Sequence, residues 1–173
     1  MKWVTRDHVH VDRVACPWLI KRFIDNEAEF LFIKWPGTKI NSSMGTPFDF
    51  PGESIKYTHR NNKCTFEVLI EEYGLKDPIL YEMAKIIHSA DISKDLELSS
   101  EANGVELVSS GLVWISKDDH EAIEKGMILY DALYAGLKLR HLKQKYSNVL
   151  KALDREDRYE LIRTKWSTPI ELE

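Results

Sequence analysis

Apolar and polar positions change their rhythm along this chain. In AEFLFIKW (28–35) aromatic and aliphatic residues run together and stop at Pro36-Gly37, the strongest strand signal present. Trp3 to Thr5 and His8 to Val11 read as two shorter strands, and IKYTHR (55–60) as another that ends in the turn NNK. Between the first strands and Ala28, Pro17 suits the first turn of a helix, where its missing N–H costs nothing. Leu19, Ile20, Phe23 and Ile24 then form an apolar stripe, with Lys21 and Arg22 beside it. Residues 36 to 54, broken by Gly37, Gly45, Pro47, Pro51 and Gly52, read as a loop.

From Phe66 onward the rhythm is helical. Phe66, Leu69, Ile70 and Tyr73 follow i, i+3, i+4, i+7, and Gly74 suits a terminator. KDPILYEMAKIIHSAD opens with Asp77 as N-cap and Pro78 in the first turn, and Leu80, Met83, Ala84 and Ile87 make its buried stripe. Residues 99 to 115 predict a weaker helix interrupted by Gly104 and Gly111. A long helix should run over 117–146 from near Asp118, and the charged stretch after it should form a last helix that Pro169 helps to end. The expected fold class is α+β and predominantly helical: a small N-terminal β element packed on a helical bundle, with a long C-terminal helical segment.

The totals narrow the function classes. A length of 173 residues supports one buried core. A net charge of -4 leaves no broad basic surface, so direct binding of nucleic acid is not expected, although a local anion site is compatible with it. No window approaches the roughly eighteen apolar residues of a membrane span, and the start MKWVTRDHVHVDR lacks an export signal. The expectation is a cytoplasmic protein with no membrane contact, in which Cys16 and Cys64 are reduced thiols rather than a bridge.

Three polar groups could carry chemistry. If a helix begins at Pro17, the Cys16 sulfur sits at its N-cap, where the dipole and Arg13 would lower the thiol pKa and could hold an anion. The plain alternative is a small buried cysteine that only packs. On a helical wheel from Leu80, Asp91 falls about 20° from that residue, inside the apolar stripe, with His88 about 80° away. A carboxylate there needs a partner or a cation; the competing reading has Asp91 capping the next turn. THRNNKCTF (58–66) brings His59 and Cys64 across a turn, a weak metal-ligand signal. Asp131, in LYDALYAG, could hydrogen-bond inward. No phosphate loop, dinucleotide fingerprint or Ser-His-Asp motif is present.

Taken in order, WVTRDHVHVDRVACPWLIKRFID, PFDFPG, THRNNKCTFEVLIEEYGLKDP, IIHSAD and LYDALYAG resemble the ChrB C-terminal domain family, from about Trp3 to Gly136. The resemblance covers Asp12, Arg13, Cys16, Pro17, Trp18, Arg22, His59, Cys64, Phe66, His88 and Asp91. It implies a link to chromate resistance. The chain departs from the family pattern at Lys56, where an acidic residue is usual; Glu53 could reach in as the missing carboxylate. Residues 1–142 would form the family-like domain, and 143–173 a helical extension that could pack or dimerise.

Three functions follow as expectations. The first is a metal- or oxyanion-binding domain in chromate resistance or sensing, with His59, His88 and Asp91 holding a divalent zinc, iron or manganese ion. Arg13 and Arg22 would then attract chromate or a similar small inorganic anion. Sensing and enzymatic chemistry at the metal both stay open. The second is a non-catalytic regulatory or interaction module that forms a homodimer. The third is a thiol-based redox protein that uses Cys16.

Overall fold

A computed structural model describes residues 1–52, 54–92, 97 and 99–168. Strand β1 (Lys2–Arg6) leads into helix α1 (Val11–Leu19), which widens into a π-helical turn at Ile20–Ile24 before strand β2 (Glu29–Ile33). β2 lies parallel to β1, with Trp3 opposite Phe30 and Thr5 opposite Phe32. Parallel neighbours need a crossover, and α1 supplies it. A two-residue strand β3 (Thr46–Pro47), inside the expected loop, pairs with the other edge of β1, so the sheet order is β2-β1-β3.

Alternate side chains of β1 face opposite sides of the sheet. Trp3 packs on Phe48, Tyr57 and Tyr73 on the helical side. Val4 joins Ile33 and Phe50 in a smaller cluster on the other face. Two expected strands are not formed. At His8 the chain turns with φ 56°, and the N–H groups of His8 and Val9 donate to the Asp119 carboxylate instead of a ladder. Residues 55–60 make only isolated bridges, Phe48 with Tyr57 and Arg60 with Lys63. The turn after them takes positive φ at Asn61 and Asn62, a conformation asparagine tolerates.

The remaining elements are helices: α2 (Thr65–Glu72), α3 (Pro78–Asp91), α4 (Ala102–Trp114), α5 (Asp119–Lys145), α6 (Ser147–Ala152) and α7 (Arg155–Trp166). The expected caps are in place. Asp77 accepts from the Ile79 N–H and Asp118 from the Glu121 N–H. The charged tail forms two helices rather than one, because Asp154 caps a new start by accepting from the N–H groups of Glu156 and Asp157. Pro169 lies outside the described residues. Neither α6 nor α7 has a fully buried residue.

Helix α1 is the centre of the packing. Val11, Val14, Ala15, Trp18 and Leu19 are buried on it, and it crosses α5 closely at Gly126. A Cβ at Gly126 would stand 2.1 Å from Val14 Cγ1, so only glycine admits this approach. The Tyr130 hydroxyl, buried in the same interface, lies 3.1 Å from Ser109 Oγ and donates to the Val11 carbonyl. This contact fixes the first turn of α1, which carries Asp12.

Candidate metal centre

The helix start expected at Pro17 is six residues too late. The stripe that drives α1 into the core begins at Val11, and burial of that stripe outweighs the preference of proline for a first turn. Cys16 therefore sits inside the helix, fully buried, and not at an N-cap. Burial first, and then the charge of Asp12, pushes its thiol well above the usual range. The N-cap placement of the Cys16 sulfur and the helix start at Pro17, on which an activated thiol and an anion site there were expected, are not formed.

Asp12, in the first turn of α1, points the other way. Its carboxylate accepts from the N–H groups of Thr65 (2.6 Å) and Phe66 (3.3 Å), the free donors at the start of α2. The Asp12 N–H donates in turn to Asp91 Oδ1 at 3.2 Å, so the last residue of α3 closes the start of α1. Asp49, on the loop after β3 with φ 54°, is held by Arg6 (3.0 Å), Arg13 (2.8 Å) and the Thr65 hydroxyl (2.8 Å). Two helix N-termini and two guanidiniums thus offset the burial of carboxylates that are only 1% (Asp12) and 3% (Asp49) exposed.

His59 completes the group. Its Nε2 stands 3.1 Å from Asp12 Oδ2, 3.4 Å from Asp49 Oδ1 and 3.2 Å from Asp91 Oδ2. One N–H cannot serve three carboxylate oxygens well. A divalent ion shared by some of these donors would replace that proton. Donor atoms of Asp12, Asp49 and His59 all lie within 4.8 Å of one another. Each carboxylate also has a fixed hydrogen-bond partner behind it, as orienting partners of metal ligands usually do.

In the metal-free protein the same groups form a charge network around a protonated imidazole. Hydrogen bonds to Asp12, Asp49 and Asp91 push His59 up to about 12. Burial, followed by the charge of Asp91, pushes Asp12 up to about 6. Burial also acts against Asp49, but the bonds from His59 and Arg13 hold its carboxyl far below the ordinary carboxylate range. The His59 side chain is 41% exposed and faces an open cleft of about 820 Å³ lined by Arg6, Asp49, Phe50, Lys56, His59 and Arg60.

Of the residues named from sequence, His59 and Asp91 meet, and Asp12 and Arg13 meet with them. His88 does not join this group: its Nδ1 lies 2.6 Å from Glu67 Oε2, beside Cys64. Arg22 is elsewhere, in a two-point pair with Asp131, which also accepts from the Trp18 indole at 2.8 Å. The inward hydrogen bond of Asp131 is therefore present. Glu53 lies outside the described residues. Sequence reasoning passed over Asp49 and Glu67. Asp49 had a readable signal, since it stands between Phe48 and Phe50, both buried, in a Pro- and Gly-bounded loop.

Residues 3–137 match the family model described as the C-terminal domain of ChrB. Over 135 residues the chain is 38% identical to Protein ChrB of Cupriavidus metallidurans, a match that takes in 77% of this chain and 40% of that protein. The chain thus spans well under half the length of that curated relative. No solved structure matches it at a significant level. No helix among the described residues is long and apolar enough to cross a membrane.

Proposed function

The chain belongs to the ChrB C-terminal domain family, and we propose that it serves chromate resistance as a metal-binding domain that takes a small oxyanion. The metal ligands are Asp12, Asp49 and His59, and Asp91 stands beside them, 3.2 Å from His59 Nε2. The observation that carries this reading is the single imidazole nitrogen set against three carboxylate oxygens at 3.1–3.4 Å. Two hard oxygens and one nitrogen suit manganese, iron or zinc.

A divalent ion bound there would act as a Lewis acid and polarise an oxygen of the anion. The chain's own residues supply the rest. Three carboxylates against Arg6 and Arg13 leave one negative charge, which a proton on His59 balances in the metal-free state. Exchanging that proton for a divalent ion leaves one positive charge in excess beside the cleft, and an anion is drawn in. Arg6 lines the cleft, while Arg13 stays behind Asp49 as a brace.

The test is elemental analysis and calorimetry on protein purified without chelator. About one divalent ion per chain is expected to depend on this centre, and that equivalent should be lost in His59→Ala and Asp49→Asn. A protein that carries none and takes up none of the three metals would refute the reading.

A second reading, a homodimer, draws on the tail: α6 and α7 bury nothing fully and leave Val149 and Tyr159 exposed. Sedimentation of the chain with and without residues 143–173 separates it from the first. A concentration-independent monomer removes it.

A further inference from the structure

We propose a second metal site, for a thiophilic divalent cation, at Cys64, Glu67 and His88. One donor atom from each lies within 4.8 Å of the others. Local geometry assembles them. Cys64 is the N-cap of α2 and Glu67 is its third residue, so the Glu67 carboxylate folds back and accepts the Cys64 N–H at 2.9 Å. His88 comes from α3, whose contact with α2 brings Nδ1 to 2.6 Å from the same Glu67 oxygen.

The donor set differs from that of the carboxylate centre. A thiol, an imidazole and a carboxylate, with Cys64 fully buried, make a ligand set that prefers zinc or iron(II). Burial, then the charge of Asp12, pushes the Cys64 thiol well above its usual range. A bound cation would keep the sulfur as thiolate. The two sites share a brace. Thr65, next to Cys64, binds Asp12 through its N–H and Asp49 through its hydroxyl, so the start of α2 stands between them.

Cobalt(II) distinguishes the sites, because thiolate ligation produces an intense near-ultraviolet charge-transfer band and oxygen or nitrogen donors do not. The intact chain, titrated with cobalt(II), should take up one equivalent with that band. The band should vanish in Cys64→Ser and His88→Ala and persist in His59→Ala. Bound cobalt or zinc should also slow modification of Cys64 by a thiol reagent at least tenfold, a measurement that does not depend on the folding of a variant. No band in the wild type overturns the proposal. So does a band that survives Cys64→Ser, or one lost equally in His59→Ala, which would mean one shared centre. If the band behaves as expected while no His59-dependent equivalent exists, the carboxylate centre fails and this site stands.

Discussion

Metal uptake at the carboxylate centre should release a countable number of protons. In the metal-free protein His59 is pushed up to about 12, so at pH 7.5 it is a cation, and its Nε2 cannot be a ligand until that proton leaves. Asp12, pushed up to about 6, is then mostly ionised and adds little. One proton per ion is the expected release at pH 7.5. At pH 5.5 a substantial share of the Asp12 carboxyls carries a proton as well, and the release should rise above one. Asp49, held far below the ordinary range, contributes at neither pH. The assay is a calorimetric titration with manganese(II) in buffers of different ionisation enthalpy, where the slope of observed enthalpy against buffer enthalpy counts the protons. The stability linkage has its own sign. A folded value raised from 6.5 to about 12 means that the His59 contacts stabilise fully below pH 6.5 and are lost only as pH rises toward 12. In metal-free protein this contribution should therefore begin to decline above pH 6.5 while most of it remains at pH 8. A slope of zero at pH 7.5, or no rise on acidification, would refute both the protonation and the ligand assignment of His59.

Three further outcomes test the frame around the centre. Gly126→Ala places a Cβ 2.1 Å from Val14 Cγ1; overpacking of about 1–3 kcal/mol should exceed the roughly 1 kcal/mol gained in helix propensity. Adding Val14→Ala should cancel the strain, and a denaturation cycle in which the two changes are additive would contradict the close crossing. Asp131→Ala strips the acceptor from the buried Trp18 indole and should cost about 1–3 kcal/mol, most of it regained in Asp131→Asn. Equal losses in both variants would mean that the exposed Arg22 pair matters more than the indole. Neither Cys16 nor Cys64 should react quickly with a thiol reagent in the native protein at pH 7, since both are buried and pushed up; rapid labelling of Cys16 would restore the activated thiol.

What could be read from the sequence was what local chemistry decides. Asp77-Pro78 and Asp118 mark the starts of α3 and α5 because an N-cap and its free N–H groups lie within three residues. The start of α1 escaped for the opposite reason: His10 makes no side-chain cap, and only tertiary burial of Val11 and Val14 shows that the helix has begun. The site divided the same way. Asp91 and His59 were conspicuous, one inside an apolar stripe and one beside a turn. Asp49 is a ligand candidate only because β3 places its loop against Arg6, Arg13 and Thr65, all distant in sequence. His88 shows how far spacing carries. It stands three residues before Asp91 on α3, yet a 100° turn per residue separates them by about 60°. That is enough for Asp91 to face α1 while His88 meets Glu67 on α2. The i, i+3 pattern selected two side chains with real polar partners but could not show that a second helix start, at Cys64, lies between their destinations. Spacing on one helix limits which ligands can share an ion; the choice among them is made by the helices that pack against it.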